Sequence, residues 1–175
     1  MREHNFAFVD IETTGLNMLE HEVIEIGCVL TTPELKVIEE FNLKIKPEHI
    51  ENADPVSLKV NQFKERDWQN ALELKPTLEI FLGKVKGAIM IGHNVSFDAG
   101  FLENAFNRLG LANTMHYHRL DTVSIAWAKL HHDPTLEHFS LHEMCQKFGI
   151  ENKNPHTGLG DARAAYELYK KLISL

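Results

Sequence analysis

The sequence predicts an α/β fold in which helices cover the faces of a mixed β-sheet. Three apolar segments with strand character follow one another within the first 45 residues. From residue 88 onward, short strand-like segments alternate with segments of helical periodicity. Strands in succession followed by strand–helix alternation indicate a mixed sheet with helices packed on it. The 175 residues contain no repeats and no linker rich in Pro, Gly or Ser, which predicts one domain spanning residues 1–175.

The three N-terminal strands are predicted from short apolar runs. Residues 6–10 (FAFVD) form the first strand, and residues 23–30 (VIEIGCVL) and 37–45 (VIEEFNLKI) form the next two. The Thr-Thr-Pro sequence at residues 31–33 predicts the turn between the second and third strands.

Helix signals follow in the middle of the chain. Asp54 followed by Pro55 is typical of an N-cap and a proline at the first helical position, which predicts a short helix. A longer helix is predicted from about residue 68 to residue 85, with an interruption or bend near Pro76.

Strands and helices alternate in the second half of the chain. Residues 88–91 (AIMI) lie between two glycines and predict a strand, and another short strand is predicted near residues 118–120. Helices are predicted at residues 97–108 and 122–130.

Capping signals mark the last two helices. Ser140 and Glu143 have capping-box spacing, which predicts a helix that reaches Phe148 and ends at Gly149. The final helix is predicted over about residues 159–173.

Composition excludes several protein classes. An apolar fraction of 43% and a charged fraction of 25% are typical of globular proteins and exclude disordered or collagen-like chains. No apolar run approaches the ~18 residues of a membrane span, and no signal peptide is evident, so no membrane association is predicted. Cys28 and Cys145 lie in apolar surroundings and are predicted to be reduced core thiols, which favours a cytoplasmic protein.

The net charge restricts how the protein can use nucleic acid. Acidic residues outnumber basic ones by 25 to 18, which gives a net charge of −7. Proteins that coat nucleic acid through charge alone are normally basic. Two bound divalent ions would add four positive charges and leave −3, so the charge permits a metal-dependent nuclease and argues against a passive coating protein.

Two carboxylates lie at the end of the first predicted strand. Asp10 and Glu12 are two residues apart, so their side chains point to the same face of the strand. They repel each other unless a cation lies between them, and their oxygen ligands suit Mg²⁺ or Mn²⁺. An ordinary acidic surface turn remains the alternative.

Two further aspartates lie at predicted helix starts. Asp98 follows the AIMI strand at a strand-to-helix junction, where α/β proteins place ligand sites. Asp161 lies in the first turn of the last helix. Both could equally be first-turn acids that stabilise their own helices.

A histidine and two glycines precede Asp161. His156 lies just before the last helix, at the same mouth, with Thr157 as a possible helix cap. Gly158 and Gly160 are unusual at a helix start, since each costs up to ~1 kcal/mol relative to Ala. They either leave the His156 segment mobile or let backbone or ligand approach closely.

Three motifs in order resemble one enzyme family. DIETTGL (10–16), GHNVSFD (92–98) and HTGLGD (156–161) resemble the DEDDh 3′-5′ exonucleases, which include bacterial proofreading subunits, RNase T and oligoribonuclease. VIEIG (23–27) and RLDT (119–122) match between them, so the resemblance spans nearly the whole chain. It implies a ribonuclease H-like mixed five-stranded sheet flanked by helices.

The resemblance also implies roles for individual residues. His156 would be the general base, because histidine exchanges protons near neutral pH. Asp10 would bridge two divalent metal ions, Mg²⁺ or Mn²⁺, ~3.5–4 Å apart. The four implied metal ligands are Asp10, Glu12, Asp98 and Asp161.

Implied substrate contacts depart from the family pattern in one segment. The residues after the D-x-E pair seat the 3′-terminal nucleotide in this family. A V-H-G-I-like segment normally contacts the last base, but here Asn61 replaces the histidine and no glycine follows. Asn94, which could equally be a loop residue, is a further candidate. The predicted substrate-binding residues are Thr13, Thr14, Gly15, Leu16, Asn61 and Asn94.

Single-stranded DNA is the expected substrate, trimmed from its 3′ end to 5′-mononucleotides. RNA trimming is the alternative within the enzyme class. A non-catalytic module that binds nucleic acid or a polymerase is the alternative outside it, and association with a DNA polymerase is an expected partnership. All four carboxylates and the histidine are present, which favours the enzyme.

Overall fold

A computed structural model describes residues 3–175 and contains a five-stranded mixed sheet. The strand order is β3-β2-β1-β4-β5. β2 is antiparallel to both β1 and β3, whereas β4 is parallel to β1 and β5 is parallel to β4. The predicted α/β class is therefore confirmed. The strands are β1 (Phe6–Thr13), β2 (Val23–Thr31), β3 (Val37–Lys44), β4 (Ile89–Gly92) and β5 (Arg119–Asp121).

Six α-helices flank the sheet, and two short 3₁₀ turns, Ile50–Asn52 and Glu65–Trp68, lie between β3 and the second helix in the described chain. Most match their predictions to within two residues. The α-helices are α1 (Pro55–Val60), α2 (Leu74–Lys84), α3 (Val95–Leu109), α4 (Thr122–Leu130), α5 (Leu141–Phe148) and α6 (Gly158–Ile173).

Alternation along β1 divides the core into two layers. Val9 and its neighbours on one face pack with α2 and α3, whereas Phe8 on the other face packs against α6 through Tyr169. Asp10 and Glu12 continue the Phe8 face beyond the apolar part of the strand. The acidic end of β1 therefore points toward α6.

The helix predicted over residues 68–85 is wrong in its first part, because α2 begins only at Leu74. Trp68 instead ends a 3₁₀ turn, where its buried indole N–H donates to the Ile24 carbonyl oxygen at 2.9 Å. Pro76 lies in the first turn of α2, where a missing backbone N–H loses no helical hydrogen bond. The proline therefore accompanies the start of a helix and does not bend one.

The capping predictions hold at α1 and α5. Asp54 accepts a hydrogen bond from Val56 N at 2.9 Å, and Ser140 Oγ accepts one from Glu143 N at 3.3 Å. The Glu143 carboxylate binds the backbone N–H groups of residues 137–139, so it secures the preceding loop as well as the helix. Gly149 ends α5 in the left-handed conformation.

Both cysteines are buried and free, as predicted. In residues 3–175, no helix combines the length and the apolarity that crossing a membrane requires.

Candidate active site

Three carboxylates meet at the end of β1. Asp10 and Glu12 extend from β1, and Asp161 reaches them from the first turn of α6. One carboxylate oxygen of each lies within 4.8 Å of the others. Their convergence follows from the two-residue strand period and from the packing of α6 on that face of the sheet.

Asp98 approaches from the opposite side of the sheet. It lies in the first turn of α3 and is 4% exposed. Its Oδ1 accepts a hydrogen bond from Ile11 N at 3.0 Å, which fixes the carboxylate between the two β1 acids along the chain. The four predicted metal ligands therefore come from two elements on opposite faces and from the strand between them.

Asp161 is held by the segment that precedes α6. It accepts hydrogen bonds from Asn152 Nδ2 at 2.5 Å and from the backbone N–H of His156 at 3.0 Å. His156 has a φ of 60° and its side chain is exposed beside Asp161. The structure thus brings the predicted base to the carboxylates through its backbone and leaves the imidazole at the mouth of the site.

Burial and mutual repulsion raise the pKa values of these acids. Desolvation raises the pKa of Asp10 well above its usual range, and the charges of Asp98, Asp161 and Glu12 raise it further. Desolvation, with the Asp161 charge, raises the pKa of Glu12 to about 8. Desolvation raises the pKa of Asp98 to about 7 and also raises that of Asp161.

A divalent cation fits this donor set. None of the ion pairs formed by residues 3–175 involves the four carboxylates. Converging oxygen ligands with elevated pKa values and no basic partner are suited to hard ions such as Mg²⁺ or Mn²⁺. A bound cation would remove the repulsion that the cluster otherwise carries.

The loop predicted to bind the 3′-terminal nucleotide is held in place by hydrogen bonds. Thr13 and Thr14 are buried, and their hydroxyls bind Gly15 O at 2.7 Å and Glu22 N at 2.9 Å. Asn61 Nδ2 donates to Thr13 O at 2.9 Å. The structure therefore gathers these residues, with their side chains engaged in the loop itself, while Leu16 is 75% exposed beside them.

Two backbone features explain residues of this loop. A Cβ on Gly15 would lie 2.2 Å from the His21 ring, so the glycine makes room for that side chain. Gln62 stands where the family segment has glycine, and its φ of 54° lies in the left-handed region that glycine adopts most readily.

Asn94 lies apart from that loop, at the N-cap of α3. It has a φ of 69°, its N–H donates to Asp121 Oδ1 at 2.8 Å, and its Oδ1 accepts from Ser96 Oγ. Sequence reasoning missed Asp121, which also caps α4 and so joins the starts of α3 and α4. The available signal was the family match at RLDT (119–122), which includes Asp121.

Glu25 was also missed. It is 3% exposed and lies opposite Glu12 in the β1–β2 register. The available signal was an acidic residue inside the apolar VIEIG strand.

A mixed sheet with three converging carboxylates at the end of its central strand, and a fourth buried beside that strand, is typical of divalent-metal-dependent nucleases with a ribonuclease H-like fold. The exonuclease family model RNase T matches residues 7–169, and the chain belongs to this family. By family the chain therefore belongs with the DEDD-type 3′-5′ exonucleases, as the motifs predicted.

Similar proteins include bacterial replicative polymerases. The chain is 30% identical over 174 residues to DNA polymerase III PolC-type of Caldanaerobacter subterraneus, covering 98% of this chain and 12% of that protein. It is 28% identical over 171 residues to the Thermotoga maritima PolC-type polymerase, covering 97% of this chain and 12% of that protein. The chain thus spans about an eighth of the length of these relatives.

Solved structures of E. coli exonuclease I share the fold. A zinc-bound complex of that enzyme with single-stranded DNA superposes with a TM-score of 0.84 at 20% identity, over 98% of this chain and 41% of the other. An apo structure of exonuclease I superposes with a TM-score of 0.82 at 19% identity, over 98% of this chain and 42% of the other. These similarities confirm the ribonuclease H-like sheet.

Proposed function

We propose that this protein removes 5′-mononucleotides from the 3′ end of single-stranded DNA, using two Mg²⁺ or Mn²⁺ ions. Asp10, Glu12, Asp98 and Asp161 would hold the ions. The observation that carries the proposal is the convergence of Asp10, Glu12 and Asp161 within 4.8 Å, backed by buried Asp98, with no ion pair to any of the four within residues 3–175.

In the proposed hydrolysis, the carboxylates and His156 have different roles. Two bound divalent ions supply charge neutralisation at phosphorus and at the leaving oxygen, and make water acidic enough to act as nucleophile near neutral pH. His156 would accept a proton from the attacking water, because its imidazole is exposed at the mouth while its backbone is fixed to Asp161. The carboxylates orient the ions and do not themselves move protons.

The 3′-terminal nucleotide binds against the loop at residues 13–16 and α1. Asp54 N donates to Thr14 O at 2.8 Å, and Asn61 donates to Thr13 O, so both ends of α1 are tied to this loop. Leu16 and α1 residue Val56, 75% and 67% exposed, supply an apolar surface for a base. Asn94, at the N-cap of α3, would contact the strand from that side.

DNA is favoured over RNA by the comparisons. The curated relatives are DNA polymerases, and the exonuclease I structure was solved with single-stranded DNA. We further propose that residues 1–175 form one exonuclease domain, that it works in the cytoplasm, and that it serves a DNA polymerase.

A degradation assay tests the proposed function. A 5′-labelled single strand, as DNA and as RNA, is incubated with the protein in Mg²⁺, Mn²⁺ or EDTA. We expect a metal-dependent ladder that shortens from the 3′ end, faster for DNA and abolished in D10N. A faster RNA ladder would assign RNA trimming, and no cleavage by folded protein would favour the non-catalytic module.

The matched control is E34Q. Glu34 is exposed in the β2–β3 turn, and the β2 end beside it pairs with the start of β1, away from the acidic end. Removal of this carboxylate should leave the ladder unchanged.

A further inference from the structure

Glu25 is an acidic residue in a strand that is buried throughout. It lies on β2 opposite Glu12, on the sheet face that carries Asp10, and is 3% exposed. Within the described part of the chain, no ion pair includes it. A buried carboxylate among acidic neighbours is unfavourable unless a donor compensates it.

The compensating donor is the backbone at the start of α6. Glu25 Oε1 accepts a hydrogen bond from Gly158 N at 3.0 Å in a buried environment. Gly158 is the first residue of α6, so its N–H has no partner within the helix. A carboxylate is also favourable at a helix N-terminus. One bond therefore satisfies both a buried acceptor and an orphan donor.

Two glycines let this helix start touch the strand. A Cβ on Gly27 would lie 1.9 Å from the Gly158 carbonyl carbon, and a Cβ on Gly158 would lie 2.6 Å from Gly27 N. Gly27 is opposite Asp10 in the β1–β2 register. The first turn of α6 is thus in backbone contact with β2, beside the acidic end of β1.

Asp161 follows Gly158 by one helical turn. Its position relative to Asp10 and Glu12 is therefore set by where that turn docks. We propose that Glu25 is a positioning residue, which holds the first turn of α6 so that Asp161 completes the metal-binding carboxylates. Because Asp161 also binds His156 N, the same contact places the histidine. This inference rests on the proposed function of the four carboxylates.

Mn²⁺ binding to the full chain without substrate provides the first test. Calorimetric titration compares the wild type with E25Q, which keeps an acceptor for Gly158 N, and E25L, which keeps volume and removes the acceptor. We expect E25L to weaken Mn²⁺ binding by about 10–100-fold, as loss of a supporting contact to metal ligands typically does. E25Q should stay within about threefold of the wild type, since it loses only a nearby charge.

A control separates positioning from general destabilisation. L172A removes a fully buried side chain at the far end of α6, so it destabilises the same helix away from the site. It should lower the melting temperature and leave the Mn²⁺ affinity of the folded protein unchanged.

Hydrogen exchange at the Gly158 amide tests the contact in the wild type itself, whether or not E25L folds. The amide should be protected in the wild type and in E25Q. An unprotected Gly158 amide, wild-type Mn²⁺ affinity in E25L, or equal losses in E25Q and E25L would overturn the proposal. A wild type that binds no Mn²⁺ would instead reject the proposed function.

Discussion

The acidic residues make the metal-free stability depend on pH. The pKa values of Glu12 and Asp98 are about 8 and about 7 in the fold, above those of an unfolded chain. Between pH 5 and pH 8 the folded state therefore binds more protons, and stability falls as pH rises. In EDTA, the melting temperature should drop by about 5 °C or more over this range.

Saturating Mg²⁺ should remove most of the drop in melting temperature between pH 5 and pH 8, because a bound cation favours the ionised carboxylates. D10N should also reduce the drop in melting temperature, since it removes a buried carboxyl group whose pKa is raised in the fold. Thermal melts at pH 5 and pH 8, with Mg²⁺ and with EDTA, check these expectations. A metal-free wild type that is more stable at pH 8 than at pH 5 would contradict the electrostatic description.

A substitution at His156 tests the chemical step separately from metal binding. H156N keeps a residue that tolerates the left-handed conformation and keeps the backbone N–H that binds Asp161. It should slow single-turnover hydrolysis by ~10²–10⁴-fold, as expected for loss of a general base. H142N, at an exposed α5 position, is the control; equal rates for H156N and wild type would exclude the role.

The residues that we propose for the chemistry could be predicted from the sequence, whereas the residues that support them could not. Asp10 and Glu12 share a strand face by spacing alone, and the motifs added Asp98, Asp161 and His156. Glu25 could not be found in this way, because its partner Gly158 is 133 residues away in the chain. The same holds for the Gly15–His21 contact, which depends on how a loop closes.

Element boundaries show which local signals are strong. Asp54-Pro55 and Ser140 fixed helix starts because a cap acts within three residues. The segment after Trp68 misled the prediction, because its conformation depends on contacts with distant strand residues, such as Trp68 with Ile24 and Leu72 with Ile45.

Docking of α6 on β2 gives a prediction at the scale of elements. G27A places a methyl group where the Gly158 backbone lies, so the helix must move or the strand must bend. We expect a loss of about 1–3 kcal/mol in the free energy of unfolding, together with weaker Mn²⁺ binding. Urea denaturation and metal titration check both effects.

G83A is the matched control for that substitution. Gly83 lies in α2, and a Cβ there would meet no atom within 4 Å. It should stabilise the protein by about 0.5–1 kcal/mol. Equal behaviour of the two variants would contradict the backbone contact between Gly27 and Gly158.

For the whole molecule, the fold class followed from the order of segments, but the sheet order did not. Three successive strands and later strand–helix alternation indicate a mixed sheet. The placement of β4 beside β1, across the 75 residues between Thr13 and Ile89, is a long-range pairing with no local signal. The family resemblance implied a five-stranded mixed sheet but not this pairing of strands.

The acidic net charge leads to a prediction about how the whole protein binds its substrate. With a charge of −7, the protein has little general attraction for a polyanion, so bound metal must supply most of the affinity at the 3′ end. Slow-cleaving H156N permits a binding measurement by fluorescence anisotropy with a labelled single-stranded DNA. We expect binding in Mg²⁺ and at least about tenfold weaker binding in EDTA, with the metal effect lost when D10N is added to H156N. Equally tight DNA binding in Mg²⁺ and in EDTA would show instead that side chains and backbone of the protein bind the strand directly, as in a non-catalytic binding module.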